Sequence, residues 1–229
     1  MGERGSASRD AEFRLRLGRM REAMRERGLD ALFLAQPTNV WYASGFWEFI
    51  PIRMEAVLVP LEGDCVFLVS KNEHEYAANV SWIRDVRYYT EFPEDRRHQN
   101  PFDLIHEIVR EKGLERGSIG IEESFLPVAD HRRLVKMLPA AKFPDAALVT
   151  QRCRRTKSAY EIDLLKKTGA VAVAAWKASL ETARAGIREY EIAQEARAAA
   201  TRVAAGFMSE DDILVSPLTD GVQLIQAGP

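Results

Sequence analysis

The sequence of 229 residues has only two cysteines and no long apolar segment. Cys65 and Cys153 lie far apart, and two isolated thiols favour a reducing compartment such as the cytoplasm, although the sequence alone leaves a bond between them open. No apolar run approaches the roughly 18 to 20 residues that cross a bilayer, so we expect no membrane partner. The first ten residues, MGERGSASRD, have no apolar core. We therefore expect a disordered tail over residues 1–10 rather than a secretory signal.

A strong charge bias is also missing, since 32 Lys and Arg stand against 34 Asp and Glu, for a formal net charge of -2. Bulk charge thus gives no reason to expect a nucleic-acid partner. The only basic cluster, RCRRTK over residues 152–157, is short and has no interleaved aromatics, so a solvated linker explains it better than a nucleic-acid site. Neither GxGxxG after the first predicted strand nor GxxxxGK[ST] occurs, so nucleotide binding has no support.

Recognisable catalytic patterns are absent as well. None of the four histidines stands at a metal-ligand spacing such as HxH or HExxH, and GxSxG does not occur. We interpret the histidines as surface or helix residues: His74, His98, His106 and His131. The carboxylate pairs Glu122–Glu123 and Asp211–Asp212 are adjacent, and neighbours on a strand point to opposite faces, so we interpret both pairs as solvated charge. Local chemistry alone predicts no catalytic centre.

Alternating strand and helix patterns are present up to about residue 148. The predicted elements are a helix over 12–27, a strand over 29–35, a hairpin over 54–70 with its turn at 61–64, helices over 71–80, 101–113 and 126–138, strands over 86–90 and 118–123, and a strand or extended link over 142–148. This alternation predicts an α/β domain with a mixed sheet that contains at least one hairpin.

The pattern changes after residue 150. A long amphipathic helix follows, in which Val173, Trp176 and Leu180 belong to one apolar stripe, and then a second helix ending near Gly206. Two short strands are predicted within residues 212–229. Two helices and one hairpin do not close a core, so we divide the chain into an α/β domain (11–150), a linker (151–157) and an incomplete domain (158–229). We expect the exposed stripe to promote self-association.

The stretch AQPTNVWYASGF, residues 35–46, is unusual after a buried strand. It combines Pro37, Asn39, the adjacent aromatics Trp41 and Tyr42, and a Ser-Gly pair. We interpret it as a loop, in which the two aromatics mainly pack in the core.

This stretch and three later ones resemble, in the same order, segments of the pita-bread metallohydrolases: creatinase, prolidase and Xaa-Pro aminopeptidase. Residues 19–46 resemble the opening of that family, with matches at Gly28, Asp30, Pro37, Asn39, Tyr42, Ser44, Gly45 and Phe46. RRTKSAYEIDLLKKTGAVA resembles the entry into the catalytic domain, with matches at Arg154 or Arg155, Lys157, Ser158, Glu161, Ile162 and Leu165. GIREYEIA and GVQLIQAGP resemble the segments that follow.

The resemblance implies a creatinase-like N-terminal domain with a mixed β-sheet flanked by helices, followed by a truncated α+β pita-bread domain. In that family two divalent metal ions (Mn, Co or Zn) are bound by two Asp, one His and two Glu of the pita-bread domain. All of these positions are expected beyond Pro229. The resemblance therefore assigns no catalytic residue and no metal ligand to this chain, and we expect the chain alone to be inactive and to bind no metal tightly.

The resemblance also implies a homodimer in which the loop after Gly45 reaches the partner's active-site mouth. That loop is FWEFIPIRMEA, residues 46–56. In this interpretation Arg53 binds the substrate carboxylate through its guanidinium fork, and Trp47 and Phe49 form an apolar or cation–π wall. The alternative is that the aromatics close the sheet edge and that Arg53 is a solvated surface charge.

We therefore expect the N-terminal portion of a dinuclear-metal hydrolase of the Xaa-Pro aminopeptidase or prolidase type. Its N-terminal domain would serve dimerisation and recognition of a peptide or small carboxylated substrate. One alternative is a creatinase-like non-peptidase that acts on a small carboxylated metabolite. Another, from a different class, is a metal-free binding protein that retains the fold.

Overall fold

Alternating side chains along the first strand explain why both faces of the sheet are covered. The computed structural model describes residues 3–47, 53–90 and 100–208. Within it, Leu32 and Leu34 belong to one apolar core, whereas Ala31 and Phe33 belong to another. Successive side chains of a strand point to opposite faces, so a continuous apolar run is buried on both sides. The prediction of a doubly buried strand is confirmed.

Helices and strands alternate along most of the chain. The elements are, in chain order, α1 (Glu3–Glu26), β1 (Ala31–Leu34), α2 (Pro37–Ser44), β2 (Ala56–Pro60), β3 (Val66–Ser70), α3 (Lys71–Val80), β4 (Asp85–Tyr89), α4 (Pro101–Glu111), β5 (Ile119–Gly120), α5 (Val128–Met137), α6 (Ala147–Arg155), α7 (Ala159–Thr182) and α8 (Glu189–Ala205).

The five strands form one mixed sheet in the order β4-β3-β2-β1-β5. β2 pairs antiparallel with both β1 and β3, whereas the outer pairs β3–β4 and β1–β5 are parallel. The predicted hairpin is β2–β3, and Gly63 in its turn has a φ of 84°. Only glycine adopts this left-handed conformation without strain. The predicted mixed α/β fold is confirmed.

Helices cover the two faces of the sheet in separate layers. One core combines α1, α2, α3 and α6 with the sheet, and its side chains include Met24, Val40, Ala77 and Cys153. The other core combines α4 and α5 with the opposite face, and its side chains include Ile105 and Leu134. Since apolar residues recur every three or four positions in these helices, each helix presents one stripe to the sheet.

The chain divides into two units, one of residues 9–156 and one of residues 1–8 with residues 157–229. The sheet and both cores lie in the first unit. In the second unit α7 and α8 pack against each other. Helix α7 begins with a capping box, in which the Ser158 hydroxyl accepts the N–H of Glu161 at 3.1 Å and the Glu161 carboxylate accepts the N–H of Ser158 at 2.9 Å. The predicted stripe is exposed on α7, where Trp176 has 62% of its surface accessible.

Two predicted domain boundaries differ from the structure. Residues 3–10, expected to be a disordered tail, form the first turns of α1. Residues 151–155, expected to be a linker, belong to α6 because Val149 and Cys153 are buried on one helical stripe. The strands predicted within 212–229 lie outside the described residues. No helix among the described residues has the length and hydrophobicity needed to cross a membrane.

Candidate functional site

Residues 37–44 form a helix and not the loop that we expected from the sequence. Pro37 occupies the first turn, where its missing N–H removes no helical hydrogen bond and its fixed φ suits the helix. Gly45 ends the helix in the left-handed conformation, with a φ of 78°, and its N–H donates to the carbonyl of Trp41 at 2.8 Å. Two end signals thus define a helix of only eight residues.

The carboxylate of Glu122 lies at the beginning of α2. One of its oxygens accepts the backbone N–H of Ala35 at 2.7 Å and that of Gln36 at 2.8 Å, and the other accepts the side-chain amide of Asn39. Glu122 is only 2% exposed. The interpretation of Glu122 as solvated charge is therefore wrong, while its neighbour Glu123 is exposed as expected. A carboxylate at a helix N-terminus is favoured because it accepts N–H groups that have no helical partner.

Asn39 extends this contact to α6. Its amide also donates to the hydroxyl of Thr150 at 3.2 Å, and its carbonyl oxygen accepts from the Arg154 guanidinium at 2.9 Å. Asn39 and Thr150 are both buried. We call Glu122, Asn39, Thr150 and Arg154 the Glu122 network. It brings together two segments that carry the family resemblance, since Asn39 belongs to the opening motif and Arg154 to the later one.

The environment of Glu122 has opposing effects on its ionisation. Burial removes water from the carboxylate and raises its pKa above the ordinary value, and this is the largest effect. Hydrogen bonds from the N–H of Gln36 and from the side chain of Asn39, together with the charge of Arg154, act in the opposite direction. The net direction is upward, so the network holds a carboxyl group that takes up a proton more readily than an exposed Glu.

A buried ion pair attaches α2 to α1. The Nε of Arg16 donates to the carboxylate of Glu12 at 2.8 Å, and its Nη1 donates to the carbonyl of Tyr42 at 3.3 Å. The guanidinium also lies over three rings, those of Tyr42, Phe13 and Trp41, at 4.6, 5.1 and 5.7 Å from their centroids. We did not find this pair from the sequence. The sequence signal for it is the spacing of Glu12 and Arg16, two opposite charges four residues apart beside the apolar stripe of α1.

A cavity of about 190 Å³ opens beside α2. Its lining residues are Ala35, Pro37, Val40, Phe46, Arg53, Met54, Glu55, Phe125, Leu126, Pro127 and Asp130. The lining is mainly apolar, with one guanidinium and two carboxyl groups among the charged side chains. Because Ala35 donates to Glu122 and Pro37 begins α2, the Glu122 network fixes one wall of this cavity.

The predicted recognition residues Arg53 and Trp47 do not share one environment in the structure. Arg53 lines the cavity and is partly buried. Trp47 is 50% exposed and meets Trp41 edge to face, with 6.4 Å between the ring centroids, but it is not a lining residue. Phe49 lies outside the described residues. Tyr42 is buried as expected, whereas Trp41 is 36% exposed because it lies on the outer side of α2.

The two thiols are buried and not bonded to each other. Burial raises the pKa of the Cys65 thiol to about 11, and it raises the pKa of the Cys153 thiol as well. Since the thiolate is the nucleophile, neither cysteine is suited to nucleophilic catalysis near neutral pH. Cys65 is a small core residue, as the sequence predicted.

Within residues 3–47, 53–90 and 100–208, no three His, Cys, Asp or Glu side chains come together in a group that fits a metal ion. His74 contacts the ring of Tyr88, and His131 that of Phe143. His98 and the pair Asp211–Asp212 lie outside the described residues. Among the residues that the structure describes, no group of side chains fits the two-metal site that the family resemblance implies. We therefore assign no metal ligand among them.

A sequence profile of the family described as "Creatinase/Prolidase N-terminal domain" matches residues 16–156. The chain belongs to this family. The matched range starts within α1 and ends directly after α6, so it contains the whole sheet, the Glu122 network and the cavity beside α2. The family expected from the sequence resemblance is confirmed.

Several curated proteins are similar to this chain. It is 26% identical over 191 residues to the ectoine hydrolase of Halomonas elongata, 28% over 178 residues to the creatinase of a Bacillus species, and 26% over 180 residues to the Xaa-Pro dipeptidase of Lactobacillus helveticus. The matches cover 80%, 76% and 78% of this chain but 47%, 41% and 47% of those relatives. The chain thus spans less than half of each of these relatives.

Solved structures show the same architecture. The prolidase from Pyrococcus horikoshii superposes with a TM-score of 0.63 at 26% identity, and the match covers 82% of this chain and 48% of that one. The Xaa-Pro dipeptidase from Bacillus anthracis gives a TM-score of 0.66 at 20% identity, over 83% of this chain and 49% of that one. Because the identity to the Bacillus anthracis protein is only 20%, this second match shows a shared fold alone.

Proposed function

We propose that this chain is the N-terminal portion of a hydrolase of the Xaa-Pro aminopeptidase or prolidase type. In this proposal the unit of residues 9–156 serves dimerisation and substrate recognition. The family membership of residues 16–156 supports it, and so do the names of the relatives, which include an Xaa-Pro dipeptidase and a prolidase.

The position of Arg53 is the observation that carries the recognition role. Arg53 lines a cavity whose other lining residues are mostly apolar, such as Val40, Phe46 and Leu126. A guanidinium binds a carboxylate with two parallel hydrogen bonds, and this interaction is stronger where apolar neighbours exclude water. Arg53 would therefore hold the carboxylate of a peptide or small metabolite, in the partner's active-site mouth if the protein is a homodimer.

In this proposal, the complete protein needs metal ions for hydrolysis. Two divalent ions (Mn, Co or Zn) are expected there from the family resemblance, and no described residue of this chain is assigned to them. We expect the 229-residue chain alone to have no hydrolytic activity.

A second candidate function is favoured by the names of two relatives. Ectoine hydrolase and creatinase are among the similar proteins, and neither name denotes a peptidase. A non-peptidase that acts on a small carboxylated metabolite would use Arg53 in the same way. The two candidates differ in the bond that is cleaved.

The complete gene product, read from the gene through and beyond codon 229, tests both candidates. Hydrolysis of Xaa-Pro dipeptides supports the peptidase, and hydrolysis of small carboxylated amides alone supports the second candidate. The metal content of the purified protein separates both from a metal-free binding protein. If the gene adds no residues that supply two Asp, one His and two Glu after Pro229, the hydrolase proposal fails.

Arg53→Ala tests the recognition role in that protein. We expect KM for carboxylated substrates to rise about ten- to a hundredfold with little change in kcat, because a hydrogen bond between charged groups is lost. Arg116→Ala, which removes an exposed guanidinium outside the cavity lining, is the matched control. Unchanged KM in Arg53→Ala would exclude Arg53 as the carboxylate-binding group.

A further inference from the structure

The charged groups of the cavity beside α2 do not suit a purely anionic ligand. Arg53 supplies one positive group, but two carboxyl-bearing residues, Glu55 and Asp130, belong to the same lining. Glu55 is buried in the wall, whereas the side chain of Asp130 is 20% exposed. A carboxylate bound at Arg53 would be repelled by these groups unless the ligand also carried a positive charge.

Asp130 is well placed to receive that positive charge. It lies in the first turn of α5, where the N-terminal end of the helix favours an acidic side chain. Its ion pair with the Nη1 of Arg133 has a separation of 3.8 Å, which is too long for a hydrogen bond. An ionised carboxylate accepts about four hydrogen bonds, so Asp130 has the capacity to accept from an ammonium group of a ligand.

The size and lining of the cavity limit the rest of the ligand. Its volume of about 190 Å³ exceeds the roughly 150 Å³ of an apolar cavity that holds benzene. It is smaller than the roughly 300 to 1,000 Å³ of pockets that bury drug-sized ligands. Apolar side chains line most of it, including those of Pro37, Val40 and Leu126. One compact ring or branched apolar group therefore fits, whereas a longer peptide does not.

We propose that this cavity binds a small zwitterion, a free α-amino acid or similar compound with a compact apolar body. Its carboxylate would bind Arg53, its ammonium group would bind Asp130, and its apolar body would pack against α2 and the segment before α5. The inference rests on the proposed carboxylate-binding role of Arg53 and adds the requirement for a cationic group in the same ligand.

Isothermal titration calorimetry of the 229-residue chain at neutral pH tests the inference with three matched probes. L-proline carries both charges, N-acetyl-L-proline lacks the positive charge, and L-prolinamide lacks the negative charge. We expect L-proline to bind and each of the other two to bind at least about tenfold more weakly, since each loses one hydrogen bond between charged groups.

Two variants connect the probes to the residues. Asp130→Asn should weaken binding of L-proline at least about tenfold and should not weaken that of N-acetyl-L-proline, because the carboxylate attracts the ammonium group of the zwitterion and repels the anionic probe. Glu123→Gln removes an exposed carboxylate outside the lining and should change neither affinity.

The outcomes separate this inference from the proposed function. If N-acetyl-L-proline binds as tightly as L-proline, no acidic group recognises the ligand and the inference is overturned, while the carboxylate-binding role of Arg53 stands. If none of the probes binds at millimolar concentration, the inference is also overturned. The hydrolase proposal is then decided separately, by the activity of the complete gene product.

Discussion

Glu122, which follows β5, accepts the backbone N–H of Gln36 at 2.8 Å and so joins two residues that lie 86 positions apart in the sequence. The contact places a carboxylate at the N-terminus of a helix that its own sequence specifies weakly. Through Asn39, the same carboxylate is connected to Thr150 and Arg154 on α6. The position of α2, and with it one wall of the cavity, therefore depends on a residue from another part of the chain.

Replacing Glu122 by Gln should destabilise the protein by about 1 to 3 kcal/mol. An amide has only one accepting oxygen, so its NH2 group must face either the backbone N–H groups of Ala35 and Gln36 or the amide of Asn39. At least one buried donor then loses its acceptor. Urea unfolding followed by circular dichroism measures the change.

The neighbouring variant Glu123→Gln is the control for the loss of Glu122. Glu123 is exposed, and we expect its replacement to change the free energy of unfolding by less than about 0.5 kcal/mol. Equal effects of the two variants would show that the Glu122 network contributes nothing specific to stability.

The stability should also depend on pH through Glu122. Because burial raises the pKa of Glu122, the folded state binds the proton more tightly than the unfolded state does. The resulting contribution to the free energy of unfolding is complete below about pH 4.5, where an unperturbed Glu titrates, and is lost as the pH rises through the raised pKa. Glu122→Gln cannot titrate at this position, so it is the reference.

The measurement is the difference in the free energy of unfolding between the unmodified chain and Glu122→Gln at a series of pH values. We expect this difference to become smaller as the pH rises from 4.5. A difference that stays constant or grows with pH would contradict the raised pKa.

Periodic hydrophobic patterns were sufficient to predict the five strands and most of the helices, but not the order of the strands in the sheet. The β2–β3 hairpin, α4 and α8 are determined by local signals: alternating apolar residues, a turn glycine, or a stripe with a repeat near 3.6 residues. These signals lie within each element, so a single sequence reveals them. The family resemblance added the assignment of the segments to one known architecture.

The missed features depend on contacts between distant segments. Helix α2 contains Thr38, Val40 and Trp41, which are poor helix formers, and the carboxylate of Glu122 accepts the N–H groups of the two residues directly before it, Ala35 and Gln36. Glu122 and Glu123 are the same type of residue, and only the packing around β5 decides that the first is buried and the second is exposed. Local patterns do not contain that information.

A side chain at Gly45 is disfavoured for two separate reasons. Its φ of 78° is left-handed, and a Cβ there would lie 2.7 Å from Cζ of Phe13. Phe13 is stacked on Trp82 at 5.7 Å, so it cannot move away without disturbing a second ring. We expect Gly45→Ala to destabilise the protein by about 2 to 5 kcal/mol, the sum of backbone strain and overpacking.

Gly113→Ala isolates the backbone part of that effect. Gly113 has a similar φ of 67°, but no atom lies within 4 Å of the position of an added Cβ. We expect a loss of only about 1 to 2 kcal/mol from left-handed strain. Similar unfolding midpoints in urea for the two variants would mean that the ring of Phe13 moves and makes room for the new methyl group.

The apolar stripe on α7 should cause the 229-residue chain to self-associate. Val173, Trp176 and Leu180 are 50%, 62% and 57% exposed, and large apolar side chains grouped in this way favour association between copies. Sedimentation velocity over a range of concentrations should show a rising average mass.

The double variant Val173→Lys/Trp176→Glu should sediment as a monomer under the same conditions. Thr168→Glu adds a charge to an exposed position of α7 outside the stripe and should leave association unchanged. If the unmodified chain sediments as a monomer at every concentration, the stripe does not act as an interface between copies, because the driving force depends on the apolar area that association removes from water.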